Sequence, residues 1–292
     1  MKLIKQDFNI VNQQGFSIKD IKKHIEYCAR ISYKSQDKIT DDSYEKFVNM
    51  LVKKDHTRPL EFGTIHLRIP EGVWNDMVLA LATNYYYSTN WIQSKLHFGE
   101  YFITTNYRYY LFLTKIYPEI EKYFTEEDNK LFPKRHTVHF VLSRGIMDEF
   151  RTHVGFSHIA ESTRWINYNR GKFGNEITFI KPYWIDKYSK DTLDCSGHRK
   201  DGSSDMFISN DFTEELANSE ATYLAMMIAG CKPQEARDIL PLSVKSELIS
   251  CGFEDAWSNF FYRRCAKDAH PMAREIAIPL QKRFKELNYI NQ

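Results

Sequence analysis

Between Phe150 and Trp165 the chain reads Arg151-Thr152-His153-Val154-Gly155-Phe156-Ser157-His158-Ile159-Ala160-Glu161-Ser162-Thr163-Arg164. A short polar run of this kind, bounded by aromatic residues, needs a partner. Ser162 and Thr163 offer hydroxyls, and Arg164 offers a planar fork of donors that suits a phosphate. The three together predict an anion site.

Other chemistry is poorly supported by the residues. His136 and His139 lie three apart in a strand-like run, where odd spacing points side chains to opposite faces. Cys195 and His198 have metal-like spacing but no second pair. No metal is expected. Gly-rich phosphate loops of the dinucleotide and P-loop types are absent, which argues against a Rossmann domain. The five cysteines, Cys28, Cys195, Cys231, Cys251 and Cys265, are odd in number and widely spaced, so they read as reduced thiols rather than a disulfide framework.

Composition bounds the rest. A chain of 292 residues accommodates one large domain or two ordinary ones, with apolar residues enough for a buried core. Aromatic residues make up 15%, with 18 Tyr and 20 Phe, which serves a core and a subunit interface or provides stacking surfaces for planar ligands. Net charge is only +2, from 40 basic and 38 acidic residues, so no excess field awaits a polyanion and nucleic acid is a disfavoured partner. The N-terminus MKLIKQDFNI breaks its apolar residues with charges, and the run Tyr223 to Gly230 is too short for a membrane span. A cytoplasmic protein with no membrane partner is expected.

The elements that position these residues follow from periodicity. Apolar spacing predicts a helix over 17–34, closed by Ala29-Arg30-Ile31-Ser32, and a second over about 41–54 with Thr40 or Asp41 as N-cap and Phe47, Met50 and Leu51 buried. His56-Thr57-Arg58-Pro59-Leu60-Glu61 breaks it, and 63–70 alternates like a half-buried strand. An aromatic block follows to residue 135, with a helix near 74–81 and a strand at 101–107 entering another helix. Strands are expected at 136–142 and 174–181, with helix and loop from 145 to 161 between them. Residues 186–212 read as a loop, followed by helical stretches at 212–230, 233–240, 253–266 and 270–287. A single domain over 1–292 is favoured, since neither a repeat nor a linker interrupts it.

The polar run, extended back to Arg144 and Glu149-Phe150, resembles the flavin-dependent thymidylate synthase family, whose motif is Arg-His-Arg, seven residues, then Ser-x-Arg. The matching positions here are Thr152-His153-Val154 and Ser162-Thr163-Arg164, so the tail is intact and both arginines of the head are replaced. Arg151 sits one residue early, a shift that rotates a side chain by about 100° on a helix. Four further stretches are similar to the family. His56, Pro59 and Glu61 stand in register with its His-x-Thr/Ser-Pro-Phe/Leu-Glu-His, with Arg58 in place of the hydroxyl residue. Ala236-Arg237 to Pro241 resembles Ala-Arg-x-x-Leu-Pro, and Asn259 to Arg264 keeps a five-residue Asn-to-Arg interval. The fourth, Ala29 to Ser32, places a Ser where the family has one near its flavin. By residues alone Ser32 and His270 read equally as caps, and Arg237 as an ion-pair partner of Glu235 or Asp238.

The resemblance implies a mixed α/β (α+β) fold, an antiparallel sheet flanked by helices, with residues 71–135 as an insertion. It implies a homotetramer that converts dUMP to dTMP with FAD, NADPH and methylenetetrahydrofolate. Glu149, Phe150, Arg151, Thr152, Ala160, Glu161, Ser162, Thr163, Arg164 and Arg237 would bind the nucleotide. Arg264 would also touch the base, where a permanent cation favours its enolate-like form and makes C5 nucleophilic without an enzyme thiol. Ser32, His56, Arg58, Glu61, Thr152, His153, Val154, Asn259 and His270 would line the cofactor. Two alternatives stay open: another C5-modifying pyrimidine-nucleotide flavoenzyme, and a nucleotide-binding paralogue that has lost flavin.

Overall fold

In the computed structural model, the described residues are 1–83, 90–161, 167–168, 174–185 and 208–290. The N-terminal part runs β1 (Lys2–Ile4), β2 (Asp7–Ile10), α1 (Ile18–Ser32), α2 (Ser43–Lys53), β3 (Thr64–Pro70) and α3 (Glu71–Thr83). Next come β4 (Ile92–His97), β5 (Glu100–Asn106), α4 (Tyr107–Ile116), β6 (Phe124–Thr125), β7 (Arg135–Ser143), α5 (Arg144–Arg151), β8 (Phe156–Ala160) and β9 (Thr178–Ile180). The chain closes with α6 (Ile208–Ile228), α7 (Pro233–Ala236), β10 (Lys245–Phe253), α8 (Glu254–Arg264) and α9 (Pro271–Glu286).

Two four-stranded antiparallel sheets carry the fold. One has the order β2-β7-β10-β8, the other β4-β5-β3-β6, and β1 pairs with β9 in a parallel two-stranded ribbon. The alternation along β10 decides the first sheet's packing. Leu248, opposite Phe140, faces the core of Ile146, Phe150, Trp257, Phe260 and Ala273 from α5, α8 and α9. Ile249 and Cys251, one residue over, face Cys28 and Ile31 of α1. Side chains alternate across a strand, so a sheet covered on both faces needs apolar residues on both.

The inserted block does not stand apart from the chain around it. Its strands β4 and β5 pair onto β3, and β3 lies outside residues 71–135. Their shared core, including Leu67, Ile69, Trp74, Ile92, Ile103 and Tyr110, also takes in Ile21 and Ile25 of α1.

Several local expectations are corrected. The α2 N-cap is Asp42, one residue beyond the predicted pair, and its side chain makes no capping bond. Its buried residues are Val48 and Leu51, with Phe47 and Met50 packed at the edge. Residues 156–160, expected as helix or loop, form β8 because β10 supplies backbone partners from Gly252 to Leu248. The strand expected at 174–181 is only the three-residue β9. The central strand β10 has no counterpart among the predicted elements. Its alternating Ser246, Leu248 and Ser250 read as an ordinary half-polar stretch until two partner strands bury them.

Candidate active site

Helix α5 begins on the side chain of Ser143, which accepts the Ile146 N–H, and ends at Thr152, whose hydroxyl donates to the Glu149 carbonyl. The chain then turns at Gly155, where φ is +91°, before entering β8. A Cβ there would lie 3.0 Å from the Cβ of Ala256, so glycine serves both the left-handed backbone and the close approach of α8. The far end of α8, at Arg264, stands at the end of α5.

Arg264 makes three contacts there. Its Nε–H donates to His153 Nε2 at 2.7 Å, Nη1 to Glu149 Oε2 at 2.7 Å, and Nη2 to the Glu149 carbonyl at 2.9 Å. Its guanidinium also stands 6.0 Å from the Phe150 ring centre. A cation on the last carbonyls of a helix opposes the negative end of its dipole. A guanidinium carries five N–H donors, so these three bonds leave two for a ligand.

The bond from Arg264 fixes His153 with its proton on Nδ1. Burial, and then the charges of Arg264 and Arg263, push its pKa down to about 4, so the ring is neutral at pH 7. His158 supports it from beneath. The His158 Nε2–H donates to the His153 carbonyl at 3.2 Å, which leaves Nδ1 to accept from the Ser250 hydroxyl at 2.8 Å. Burial takes the His158 pKa to about 4; the bond to His153 opposes that, while His153, Arg58 and Arg151 depress it further. Two exposed arginines from separate stretches thus raise the positive potential around one buried imidazole.

The remaining expected residues are distributed as follows. Phe150 is buried in the core against Phe140 and Phe260, so its side chain supports Arg264 from below and is closed to a ligand. Arg151 pairs with Asp148 at 3.0 Å and stays half exposed. Val154 is 74% exposed, and Asn259 is exposed on α8, about 140° around the helix from Arg264. Ser32 donates to the Ala29 carbonyl, and the His270 Nδ1 accepts the Met272 N–H at the start of α9; both make the capping contacts. His56 is exposed beyond α2. Arg237 lies 3.9 Å from Asp238, and the segment after it docks through Leu242 and Val244 on the N-terminal end of α5, opposite Arg264. Ser162, Thr163 and Arg164 lie outside the described residues, as do Cys195 and His198.

Glu161 is already engaged. Its carboxylate accepts from Lys245 at 2.7 Å and lies 3.3 Å from Lys34, and both lysines also pair with Glu247, which accepts from His139. Burial alone would raise the Glu247 carboxyl, but His139, Lys245 and Lys34 hold it well below the carboxylate range. This balanced network adjoins Ala160 at the end of β8, and the sequence concealed it because its members come from four elements. Glu61 pairs with Arg108 at 2.6 Å, while its carbonyl accepts from Arg135.

The stretch that holds α5 and α8 falls within a match to a known family. Residues 135–287 match the family model of the thymidylate synthase complementing protein, more than half of the chain. The chain belongs to this family. The match takes in the altered head at Thr152 to Val154, Arg237 and the Asn259 to Arg264 stretch, and leaves Ser32 and the His56 to Glu61 turn outside it. No curated protein sequence matches the chain. Two solved structures of a UMP/dUMP methylase, PolB from Streptomyces cacaoi, overlap it. The form bound with 5-Br dUMP shares 14% identity over 99% of this chain and 93% of that one, with a TM-score of 0.44. The form bound with 5-Br UMP shares 11% over 99% and 92%, with a TM-score of 0.45. Membership in the thymidylate synthase complementing family rests on the sequence match and not on these overlaps.

Proposed function

We propose that this chain is a flavin-dependent thymidylate synthase that methylates C5 of dUMP to give dTMP, working as a cytoplasmic homotetramer with residues 1–292 as one catalytic domain. The observation that carries the reading is Arg264, a cation fixed by Glu149 and His153 with donors to spare, on a chain of this family. Set against the O4 and N3 edge of a pyrimidine, such a cation stabilises the charge that develops when C5 acts as nucleophile. Glu149 and the neutral His153 position it, and His158 positions His153 in turn. Arg164 and Arg237 would hold the phosphate.

The residues present fit an anionic cofactor. Arg58 and Arg151 already place positive charge near His158, and two donors of this kind suit the pyrophosphate of FAD where the family's flanking arginines are missing. When bound, a flavin passes reducing equivalents from NADPH to the one-carbon unit that methylenetetrahydrofolate delivers to C5.

One observation favours a second reading. Val154 presents an apolar, exposed side chain where the family carries an arginine, which suits a nucleotide enzyme of different C5 chemistry or a paralogue without flavin. Incubating the purified protein with dUMP, methylenetetrahydrofolate, FAD and NADPH, and following dTMP by chromatography, separates the two. Formation of dTMP supports the synthase. Tight dUMP binding with no flavin absorbance and no dTMP supports the second reading and removes the first.

A further inference from the structure

Strand β2 is the outer strand of its sheet, and its free edge borders a groove of about 600 Å³. The far wall is α9, whose Pro279, Lys282, Arg283 and Glu286 recur at the three- and four-residue spacing of one helix face. The edge is legible bond by bond. The Val11 N–H donates to the Thr137 carbonyl, so in the antiparallel ladder Asp7 and Asn9 turn their backbone groups to β7. Phe8 and Ile10 therefore direct theirs outward, and the Phe8 N–H donates instead to the carboxylate of its own neighbour Asp7 at 2.8 Å.

Free sheet edges are commonly blunted by a proline, a lysine or a bulge. Phe8-Asn9-Ile10 carries none of these. Its half-buried Phe8 and Ile10 lie on the α9 face of the sheet, and the exposed Asn9 on the other. This pattern is its own complement. In an antiparallel pair centred on Asn9, Phe8 of one strand stands opposite Ile10 of the next. The two exchange N–H and C=O bonds on each side of the axis, which satisfies every outward group of both residues. On the α9 face an aromatic ring then meets a β-branched side chain, and at the axis an amide meets an amide, each with a donor and an acceptor. The charges are complementary too. Lys282 pairs with no carboxylate among the described residues, while Glu286, one turn on, is bonded to Arg283 through Oε2 and keeps Oε1 for a second cation. A two-fold axis reverses the helix, so Lys282 of one copy comes toward Glu286 of the other.

We propose that β2 is a contact between two copies of this chain, related by a two-fold axis at Asn9, with each copy's β2 entering the groove between the other's β2 and α9. Two four-stranded sheets then become one of eight strands. A strand pair by itself is a small contact, and the groove matters because α9 adds side-chain surface to the backbone bonds. This contact would be one interface of the proposed homotetramer, and it is independent of the chemistry assigned to Arg264.

A disulfide trap on the full chain tests the contact without substrate or cofactor. Residues at the axis form a non-hydrogen-bonded pair with Cα atoms about 4.5 Å apart, inside the roughly 4.4–6.8 Å that a disulfide spans. Asn9→Cys is therefore expected to give a two-chain species on non-reducing gels after treatment with oxidised glutathione, with the parent chain and its own cysteines as the background. Asp7→Cys, also exposed, sits two positions from the axis, so its two copies lie roughly 13 Å apart and should not link. Lys282→Glu should lower the yield of the Asn9→Cys link severalfold, and adding Glu286→Lys should restore it. No link above background from Asn9→Cys, equal linking by Asp7→Cys, or a yield indifferent to Lys282→Glu overturns the proposal. Sedimentation separates it from the tetramer. Four-chain assemblies that Asn9→Cys does not link would keep the homotetramer and remove this interface, whereas linked pairs with no larger species would keep the interface and remove the tetramer.

Discussion

Arg264 is the residue on which the proposed chemistry turns, because it is the cation that α8 delivers to the end of α5 with bonding capacity left over. Replacing it by Ala is expected to lower dTMP formation on the order of 10²-fold or more, since a fixed charge at the reacting ring is lost, while flavin content stays near that of the parent. Activity within a fewfold of the parent would assign the base to another group. The buried histidines give a second prediction at this scale. Burial first of all holds His153, His158 and His66 down to about 4 and His24 to about 3. Unfolded histidines take up protons near pH 6.5, before the folded ones do, so the unfolded state binds more protons between those values. Stability is therefore complete above about pH 6.5 and falls as the pH drops toward 4. Urea midpoints should hold level from pH 7.5 to about 6.5 and decline from there to 4.5, and a profile flat throughout would contradict the burial of these rings.

Among the elements, β10 joins the most: it pairs with β7 and β8 and faces α1 on one side and α5, α8 and α9 on the other. Leu248→Ala should accordingly cost roughly 2–5 kcal/mol in denaturant unfolding, whereas Leu79→Ala, at a position 68% exposed, should change stability by about 0.5 kcal/mol or less. Comparable losses at both sites would mean that β10 is not the centre of the core. The 3₁₀ turn Arg58–Phe62 and helix α5 each bring one arginine whose charge acts on His158, and the proposed function gives both to the cofactor phosphates. Replacing both Arg58 and Arg151 by Ala should release FAD on gel filtration, and adding Val154→Arg in that background should recover part of it, because the number of donors near a partly desolvated pyrophosphate matters more than their place in the chain. Full retention by the double variant would assign the phosphates to backbone groups or to another subunit.

For the whole molecule the decisive geometry is that Arg264 holds the C-terminal end of α5, an eight-residue helix about 12 Å long, while the segment that follows Arg237 docks on its N-terminal end. One nucleotide served by both arginines is most simply shared between copies of the chain, as a homotetramer with composite sites would allow. Co-expressing Arg237→Ala with Arg264→Ala chains should then restore a fraction of the activity that each lacks alone, through mixed assemblies carrying one intact site. No recovery in assemblies shown to be mixed would place both residues in a site built by a single chain. Among the described residues no helix is long and apolar enough to cross a membrane.

The sequence alone determined the parts that depend on local order. Apolar residues at spacings of three and four marked α1, a cap and buried positions marked α2, the alternation at Gly63 to Pro70 marked β3, the stretches 136–142 and 270–287 were legible as most of β7 and as α9, and motif spacing singled out His153 and Arg264. What it could not decide depends on partners distant in the chain. Strand β10 shows its pattern only once β7 and β8 flank it, β8 is a strand only because β10 pairs with it, and Lys34, His139, Glu161, Lys245 and Glu247 form a balanced network only when α1, β7, β8 and β10 converge. His153 and Arg264, separated by 111 positions, illustrate the same limit. Each was legible as a chemical group, but the bond between them forms only where the fold sets the end of α8 against the end of α5, a contact between distant stretches that no local spacing encodes.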